Sequence, residues 1–293
     1  QALKAPPPLS HPFARLFRVS RGTNPIGYFI LDIYRRPGKA PQTSAGALLR
    51  GHRGRLPIVL VRGSFDPPTQ GTPATLTFDQ VRSVFHELGH AVQRLSGKDA
   101  KYIRWSGVFT QLDAQEVASQ LLEGMRFDYA VMARVARDKA GNPIPRELHA
   151  RLCKASRFGM GLRYASQMHL SAFSLEVFGK TAPTLTPSAL MASLNDAFRP
   201  TPFYDCHTAG RFWYLGSMGP SYVTYAWSMG LVKEVEVKLL TQGWRSGAGV
   251  PFFEKVLRPS GSRDVQGMLT AFLGHAPHPG KTFAKYINSL SRP

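Results

Sequence analysis

The sequence predicts a mainly α-helical domain with a small β-sheet near its N-terminus. Two stretches, residues 27–34 and 56–62, run apolar or alternate in polarity, as strands do. After residue 76 the apolar side chains keep a helical spacing over long segments that are separated by short turns rich in Gly and Pro. The 293 residues, 43% of them hydrophobic, suffice for one domain with a large core.

The predicted elements follow one another in a simple order. Residues 1–12 are Pro-rich and predict an extended arm before a domain that spans residues 13–293. After the two strands, the Pro- and Gly-containing residues 64–73 predict the loop that leads into the first helix. Helices are expected at residues 77–96, 113–138, 144–179, 186–197, 219–242 and 262–273, with turns at residues 141–143 and 199–202.

The first of these helices, with Thr77 as its expected N-cap, carries an H-E-x-x-H motif from His86 to His90. Two histidines four residues apart lie one helical turn apart on the same face, so both imidazoles can reach one metal ion. Glu87 projects beside them, where its carboxylate can take a proton from a metal-bound water. The competing interpretation is two surface histidines on an amphipathic helix.

The second predicted helix carries Glu116 and Glu123, which are seven residues apart and therefore share a face. Glu116 would complete a ligand set of two His and one Glu, which leaves a fourth tetrahedral position open as a catalytic zinc requires. Glu123 would orient a ligating histidine from behind the metal. A surface or capping carboxylate explains Glu123 equally well.

The chain resembles the catalytic half of the thimet oligopeptidase family of zinc metallopeptidases, and the likeness runs over nearly all of it. Residues 113–120 read D-A-Q-E-V-A-S-Q where the family has D-F-V-E-x-P-S-Q, which places Glu116 at the third ligand. The other matching segments are residues 27–32, 35–39 and 56–61, the pair Ser106-Gly107, and Phe272-Leu273-Gly274 with the preceding Asp264.

The resemblance implies a zincin-like metallopeptidase catalytic domain that hydrolyses peptide bonds. Zinc would be held by His86, His90 and Glu116, with Glu87 as general base and Tyr225 helping to hold the tetrahedral intermediate. Within the family the likeness is greatest to mitochondrial members, which implies a mitochondrial matrix location and trimming of short N-terminal stretches from imported precursors.

The chain departs from the family in the segment from Arg211 to Tyr225. Active members carry there a His and two Tyr that face the zinc; aligned on Arg211-Phe212, these fall on Tyr214, Met218 and Tyr225. Met218 cannot donate a hydrogen bond. Tyr214 can donate through its hydroxyl, but this group lies at a different distance from the backbone than an imidazole N–H does. Losing one oxyanion donor typically costs about 10²–10³ in rate. His207 could compensate, although a solvent-facing loop histidine explains it as well.

The resemblance also implies that the family's long N-terminal helical half has no counterpart here. Either the chain is a fragment or one wall of the substrate channel has been lost. We expect an open site without selection by peptide length, unless a separate partner chain supplies the missing wall.

The net charge is high, with 37 Lys and Arg against 18 Asp and Glu, or +19. Such an excess favours RNA or anionic surfaces, although a solvated basic face explains it equally well. Two basic clusters stand out, one with Arg50, His52, Arg53 and Arg55 and one with Arg134, Arg137 and Lys139. No apolar run is long enough to span a membrane, and Cys153 and Cys206 show neither metal nor redox spacing, which favours a reducing compartment.

Two functions are therefore left open. The first is an active zinc metalloendopeptidase, supported by the intact zinc-site residues. The second is a catalytically retired peptidase fold that serves as a structural or assembly component of a mitochondrial ribonucleoprotein such as the mitoribosome. The basic charge and the changes at Tyr214 and Met218 favour the second. In that case zinc would tie two helices together and contribute folding energy.

Overall fold

The computed structural model describes residues 11–109, 111–179, 184–198, 207–242 and 247–290. Nearly all of the arm predicted at residues 1–12 lies outside the described residues, and so do the turn predicted at residues 199–202 and Cys206.

The β-sheet has four strands, β1 (Arg15–Arg21), β2 (Asn24–Tyr34), β3 (Ser44–Leu49) and β4 (Ile58–Phe65), in the order β1-β2-β4-β3. The central pair β2 and β4 is parallel, and each edge strand runs antiparallel to its neighbour. The two predicted strands are this central pair. The edge strands escaped prediction because β1 carries three arginines and β3 is built mainly of small residues, so neither has the dense β-branched pattern of a buried strand.

Thirteen α-helices lie within the described residues. Their bounds are α1 Phe78–Leu95, α2 Val117–Glu123, α3 Tyr129–Val135, α4 Arg146–Ala155, α5 Met160–Val177, α6 Pro187–Ser193, α7 Asn195–Phe198, α8 Thr208–Arg211, α9 Tyr214–Met218, α10 Thr224–Gln242, α11 Gly249–Phe252, α12 Val265–Leu273 and α13 Pro279–Leu290. The predicted fold class, mainly helical with a small sheet near the N-terminus, is confirmed.

Three of the predicted helices are broken, and the one expected at residues 186–197 becomes α6 and α7. The helix expected at residues 113–138 becomes α2 and α3, because Asp128 starts a new helix by accepting a hydrogen bond from the backbone N–H of Ala130. The helix expected at residues 144–179 breaks before α5, where Gly159 adopts a left-handed φ of 72°. Helices α8, α9, α11 and α13 were not predicted. The breaks at Asp128 and Gly159 each follow from a single local residue rather than from the apolar periodicity.

The core holds α1 between the sheet and α2. On one side, Val59 and Val61 of β4 pack against Ala91 and Leu95 of α1. On the other side, α2 buries its apolar residues in a cluster shared with α10 and α12. This arrangement fixes the two elements that carry the predicted metal ligands. In the described residues, no helix is both long and apolar enough to cross a membrane.

Candidate metal centre

Helix α1 begins with a complete capping box. The Thr77 hydroxyl accepts from the Gln80 N–H at 3.2 Å, and the Gln80 side chain accepts from the Thr77 N–H at 2.8 Å. Thr77 is thus the N-cap that the sequence predicted. With its start fixed, the helix turns Glu87 and His90 inward, where both are buried.

Gly89, the small residue inside the H-E-x-x-H motif, lets α1 and α2 approach closely. A Cβ atom at this position would lie 2.4 Å from the carbonyl oxygen of Ala118 and 2.5 Å from the Cα of Ser119. No side chain fits at that distance. The glycine therefore sets the spacing between the helix that carries the histidines and the segment that carries Glu116.

The three predicted ligands lie together. The Nε2 atoms of His86 and His90 are each 3.3 Å from Oε2 of Glu116, and one ligand atom from each residue falls within 4.8 Å of the others. Ligands bonded at 2.0–2.1 Å to a tetrahedral zinc are separated by about 3.3 Å, so the donor atoms and their spacing fit a zinc ion. Glu116 sits immediately before the first turn of α2 rather than inside a helix.

Two hydrogen bonds hold these ligands in place. The Nδ1 atom of His86 lies 2.7 Å from Oε1 of Glu123, and the Ser119 hydroxyl donates to Oε2 of Glu116 at 2.7 Å. Since Nδ1 donates to Glu123, Nε2 keeps its lone pair and faces Glu116. Of the two interpretations of Glu123, the structure supports an orienting carboxylate, and the hydrogen bond from Ser119 is a contact that the sequence analysis missed.

The charges of the cluster are coupled. Burial raises the pKa of Glu116, but the neighbouring His90 and His86 outweigh it and hold that pKa at about 2. Burial likewise lowers the pKa of His86, but Glu123 and Glu116 outweigh it and raise that pKa overall. The Glu87 carboxylate makes no hydrogen bond within the described residues, and burial raises its pKa. A carboxylate whose proton affinity is raised in this way suits a general base near neutral pH.

We expect the Glu123→Gln variant to lower zinc affinity by about 10- to 100-fold while the protein stays folded, because partners of this kind contribute that much to metal binding. Competition with a chromophoric zinc chelator measures the effect. The matched control is Glu236→Gln, a cleft carboxylate of similar side-chain exposure (14% against 15%) that pairs with Lys233 rather than with a histidine. Equal affinities for wild type and the Glu123 variant would contradict the orienting role.

Three tyrosines of residues 211–225, the segment in which the chain departs from the family, line the same cleft as the ligand cluster. The rings of Tyr214, Tyr222 and Tyr225 lie 5.1–6.2 Å apart. Burial, then the charge of Glu116 and the nearby Tyr214, raise the pKa of Tyr225, which keeps its hydroxyl protonated as a donor. Burial and Tyr214 raise the pKa of Tyr222 to about 12. Tyr222 lies among the aromatic residues of the core and also lines the cleft.

Met218 and His207 lie elsewhere. Met218 packs against the apolar cluster around Phe173 and Phe212, and it does not line the cleft. His207 lines a separate depression with Ser188 and Arg211. The structure therefore gives no support to His207 as a replacement donor, and the hydroxyl groups that this segment places in the cleft are those of Tyr214, Tyr222 and Tyr225.

The cleft has a volume of about 2000 Å³. Its lining includes the ligand cluster and Glu87, together with Lys154, Arg157 and Arg163 from α4, α5 and the turn between them. This volume exceeds the range of about 300–1,000 Å³ that is typical of small-molecule pockets.

Comparison with known proteins gives consistent matches. Residues 11–286 match the model of peptidase family M3. Mitochondrial intermediate peptidase of Homo sapiens is 25% identical over 262 residues, which cover 86% of this chain and 36% of the relative. The protein of the same name in Rattus norvegicus is 25% identical over 257 residues, covering 83% and 36%. Oligopeptidase A of Salmonella typhimurium is 25% identical over 283 residues, covering 91% and 41%. The chain thus spans 36–41% of the length of these relatives.

Solved structures agree at the level of fold. PZ peptidase A superposes with a TM-score of 0.58 at 16% identity, covering 89% of this chain and 44% of that one. A proposed oligoendopeptidase F superposes with a TM-score of 0.60 at 16% identity, covering 88% and 42%. Together with the family match, these findings confirm the resemblance drawn from the sequence.

Proposed function

Because this chain belongs to peptidase family M3, we propose that it is a zincin-like zinc metalloendopeptidase. The family consists of zinc metallopeptidases. The observation that carries the proposal is the pair of 3.3 Å distances that join His86 Nε2 and His90 Nε2 to Glu116 Oε2, beside a buried Glu87 and open to a large cleft. A zinc site that only joins two helices does not require an adjacent buried carboxylate without a hydrogen-bond partner.

A zinc ion held by His86, His90 and Glu116 would supply Lewis-acid activation of a water molecule. Glu87 takes the proton from the attacking water and returns it to the leaving amine. Its burial supports this role, since a carboxylate with a raised pKa accepts a proton more readily than an exposed one. Tyr225, protonated and close to Glu116, donates to the substrate carbonyl oxygen as negative charge develops there.

The Tyr225→Phe variant removes this hydroxyl and keeps the aromatic packing against Tyr214 and Tyr222. We expect kcat for an internally quenched peptide to fall by about 10²–10³-fold, with KM and zinc content nearly unchanged, because the donor acts on charge that develops in the transition state. The control is Tyr286→Phe, a cleft tyrosine that packs on Tyr164 instead. A Tyr225 variant with wild-type kcat would exclude this donor.

We also propose a mitochondrial matrix location, supported by the mitochondrial relatives named above. Import of a tagged full-length protein into isolated mitochondria, followed by protease protection, tests it. A separate chain that closes the open side of the cleft stays a prediction.

The retired peptidase in a mitochondrial ribonucleoprotein is a second candidate, and one observation favours it. Met218 takes the place of a family tyrosine and packs into the apolar cluster, so one predicted donor is missing from the cleft. In this case Glu87→Gln changes nothing that can be measured, whereas His86→Ala lowers the stability of the protein or its assembly, because the metal then ties α1 to α2.

A further inference from the structure

Two basic loops that are distant in sequence meet on one surface. The turn before β4, residues 50–55, is bonded to the segment after α1, residues 98–104. The Arg53 N–H donates to the carbonyl oxygen of Ala100 at 3.1 Å, and the Gly54 N–H donates to that of Lys98 at 3.0 Å. His52 and Arg55 pair with each other across the turn. The two loops, called the basic loop patch below, are therefore held in a fixed arrangement.

The charge of this patch is almost entirely uncompensated. The two segments contain six Lys and Arg residues against one acid, Asp99, for a net charge of +5. Asp99 pairs with Arg258, which lies outside the patch. The six basic residues make no ion pair with any carboxylate in the described part of the chain. Five of the six are exposed. The six are Arg50, Arg53, Arg55, Lys98, Lys101 and Arg104. Like charges that are held together without acidic partners repel one another and lower the stability of the fold. A bound polyanion would relieve this repulsion.

The backbone of Arg53 is strained. Its φ is 48°, in the left-handed region that glycine adopts without strain, and the next residue, Gly54, has a φ of 86°. An arginine in this conformation is less stable than glycine would be. Its exposed side chain makes no hydrogen bond or ion pair with the described residues that could offset this, so the fold does not explain the arginine.

Aromatic groups lie among these charges. Tyr102 is 43% exposed, and the charged ends of Lys101 and Arg104 lie 5.4 and 5.9 Å from its ring centroid. Trp105 meets the Tyr102 ring edge-on, with the centroids 4.6 Å apart, and so supports it from one side. An exposed ring with cations close to it is an arrangement on which an unpaired base stacks while its phosphates are neutralised.

We propose that the basic loop patch binds single-stranded RNA, with Arg50, Arg53, Arg55 and Arg104 on phosphates and a base stacked on Tyr102. Four of the six cations are arginines, which hold phosphate oxygens with two hydrogen bonds and stack on bases. A membrane is a poorer fit, because Ile103 and Tyr102 are the exposed large apolar residues of the patch and no amphipathic helix accompanies them. The patch is separate from the ligand cluster, so this activity does not depend on the peptidase proposal.

The test is fluorescence anisotropy with a labelled 12-nucleotide RNA of mixed sequence, at 50 to 200 mM salt, with the whole chain. The four arginines on phosphates predict a slope of about −3 for log affinity against log salt, or roughly a 50-fold loss over this range. In the triple variant R53G/R55Q/R104Q, which keeps one of the four, the slope should fall to about −1. The matched control R134Q/K139Q/K285Q removes the same charge from other exposed sites and should keep the wild-type slope.

Two further variants distinguish a direct role of the patch in RNA binding from an effect of unfolding and from an effect of charge alone. Arg53→Gly relieves the backbone, so its melting temperature should stay equal or rise while RNA affinity falls. Tyr102→Ala should lower the affinity for RNA by about tenfold without changing the salt slope, since stacking is not ionic. Equal slopes for the two triple variants would overturn the proposal. So would patch-dependent binding to vesicles with 30% phosphatidylserine in the absence of RNA binding.

Discussion

The Glu87→Gln variant should bind zinc as the wild type does and hydrolyse peptides about 10²–10⁴-fold more slowly, the range that a positioned general base contributes. Glutamine has the size of glutamate and cannot accept a proton from water. Glu87 is buried next to the ligand cluster without forming part of it, so its neutralisation leaves the two imidazoles and Glu116 in place.

The measurement is kcat/KM for an internally quenched peptide together with zinc content by mass spectrometry. Glu176→Gln, an exposed carboxylate on α5, is the control that changes the same group away from the cleft. A Glu87 variant as active as wild type would rule out Glu87 as the base. Full zinc content with no hydrolysis by wild type or variant would favour the retired-peptidase function.

The Gly89→Ala variant should lose zinc and stability together. A methyl group at this position would fall 2.4 Å from the carbonyl oxygen of Ala118, so α1 and α2 must separate. Overpacking of this kind costs about 1–3 kcal/mol, and more where backbone is opposed. Glu116 moves with α2, which widens the 3.3 Å spacing of the ligand atoms, and we expect zinc affinity to fall by more than the 10- to 100-fold typical of an orienting residue.

Thermal unfolding of the metal-free protein and zinc titration measure the two effects separately. Gly161→Ala is the matched control, because its Cβ would meet no atom within 4 Å on α5. Alanine there should raise stability by about 0.5–1 kcal/mol. If the Gly89 variant melts like wild type and binds zinc as tightly, the close approach of the two helices does not set the site.

The sequence predicted well wherever one local signal decides the structure. The Thr77 N-cap, the apolar central strands and the motif on α1 were all found. The structure adds the caps of α12: the Asp264 side chain accepts from the Gly267 N–H, and Gly274 adopts a φ of 90°. The convergence of His86, His90 and Glu116 was expected from spacing together with the family likeness. That these residues bind zinc stays a prediction.

Other features depend on tertiary contacts that spacing does not encode. The role of Glu123 was undecided because a carboxylate seven residues after Glu116 could equally face solvent; only the packing of α2 against α1 brings it to His86. Tyr222 is likewise placed by a tertiary contact, since the segment that carries it packs against α5. The meeting of residues 50–55 with residues 98–104 needs backbone hydrogen bonds between loops some 45 residues apart in sequence, which no periodicity reveals.

The central claim is that the His86, His90 and Glu116 cluster holds a zinc ion for catalysis. The most direct measurement is a titration of zinc into the metal-free protein while cleavage of a quenched peptide is followed. We predict that cleavage rises in proportion to bound zinc and levels off at one equivalent. Zinc that binds at one equivalent without cleavage, or cleavage that persists in the metal-free protein, would contradict this account.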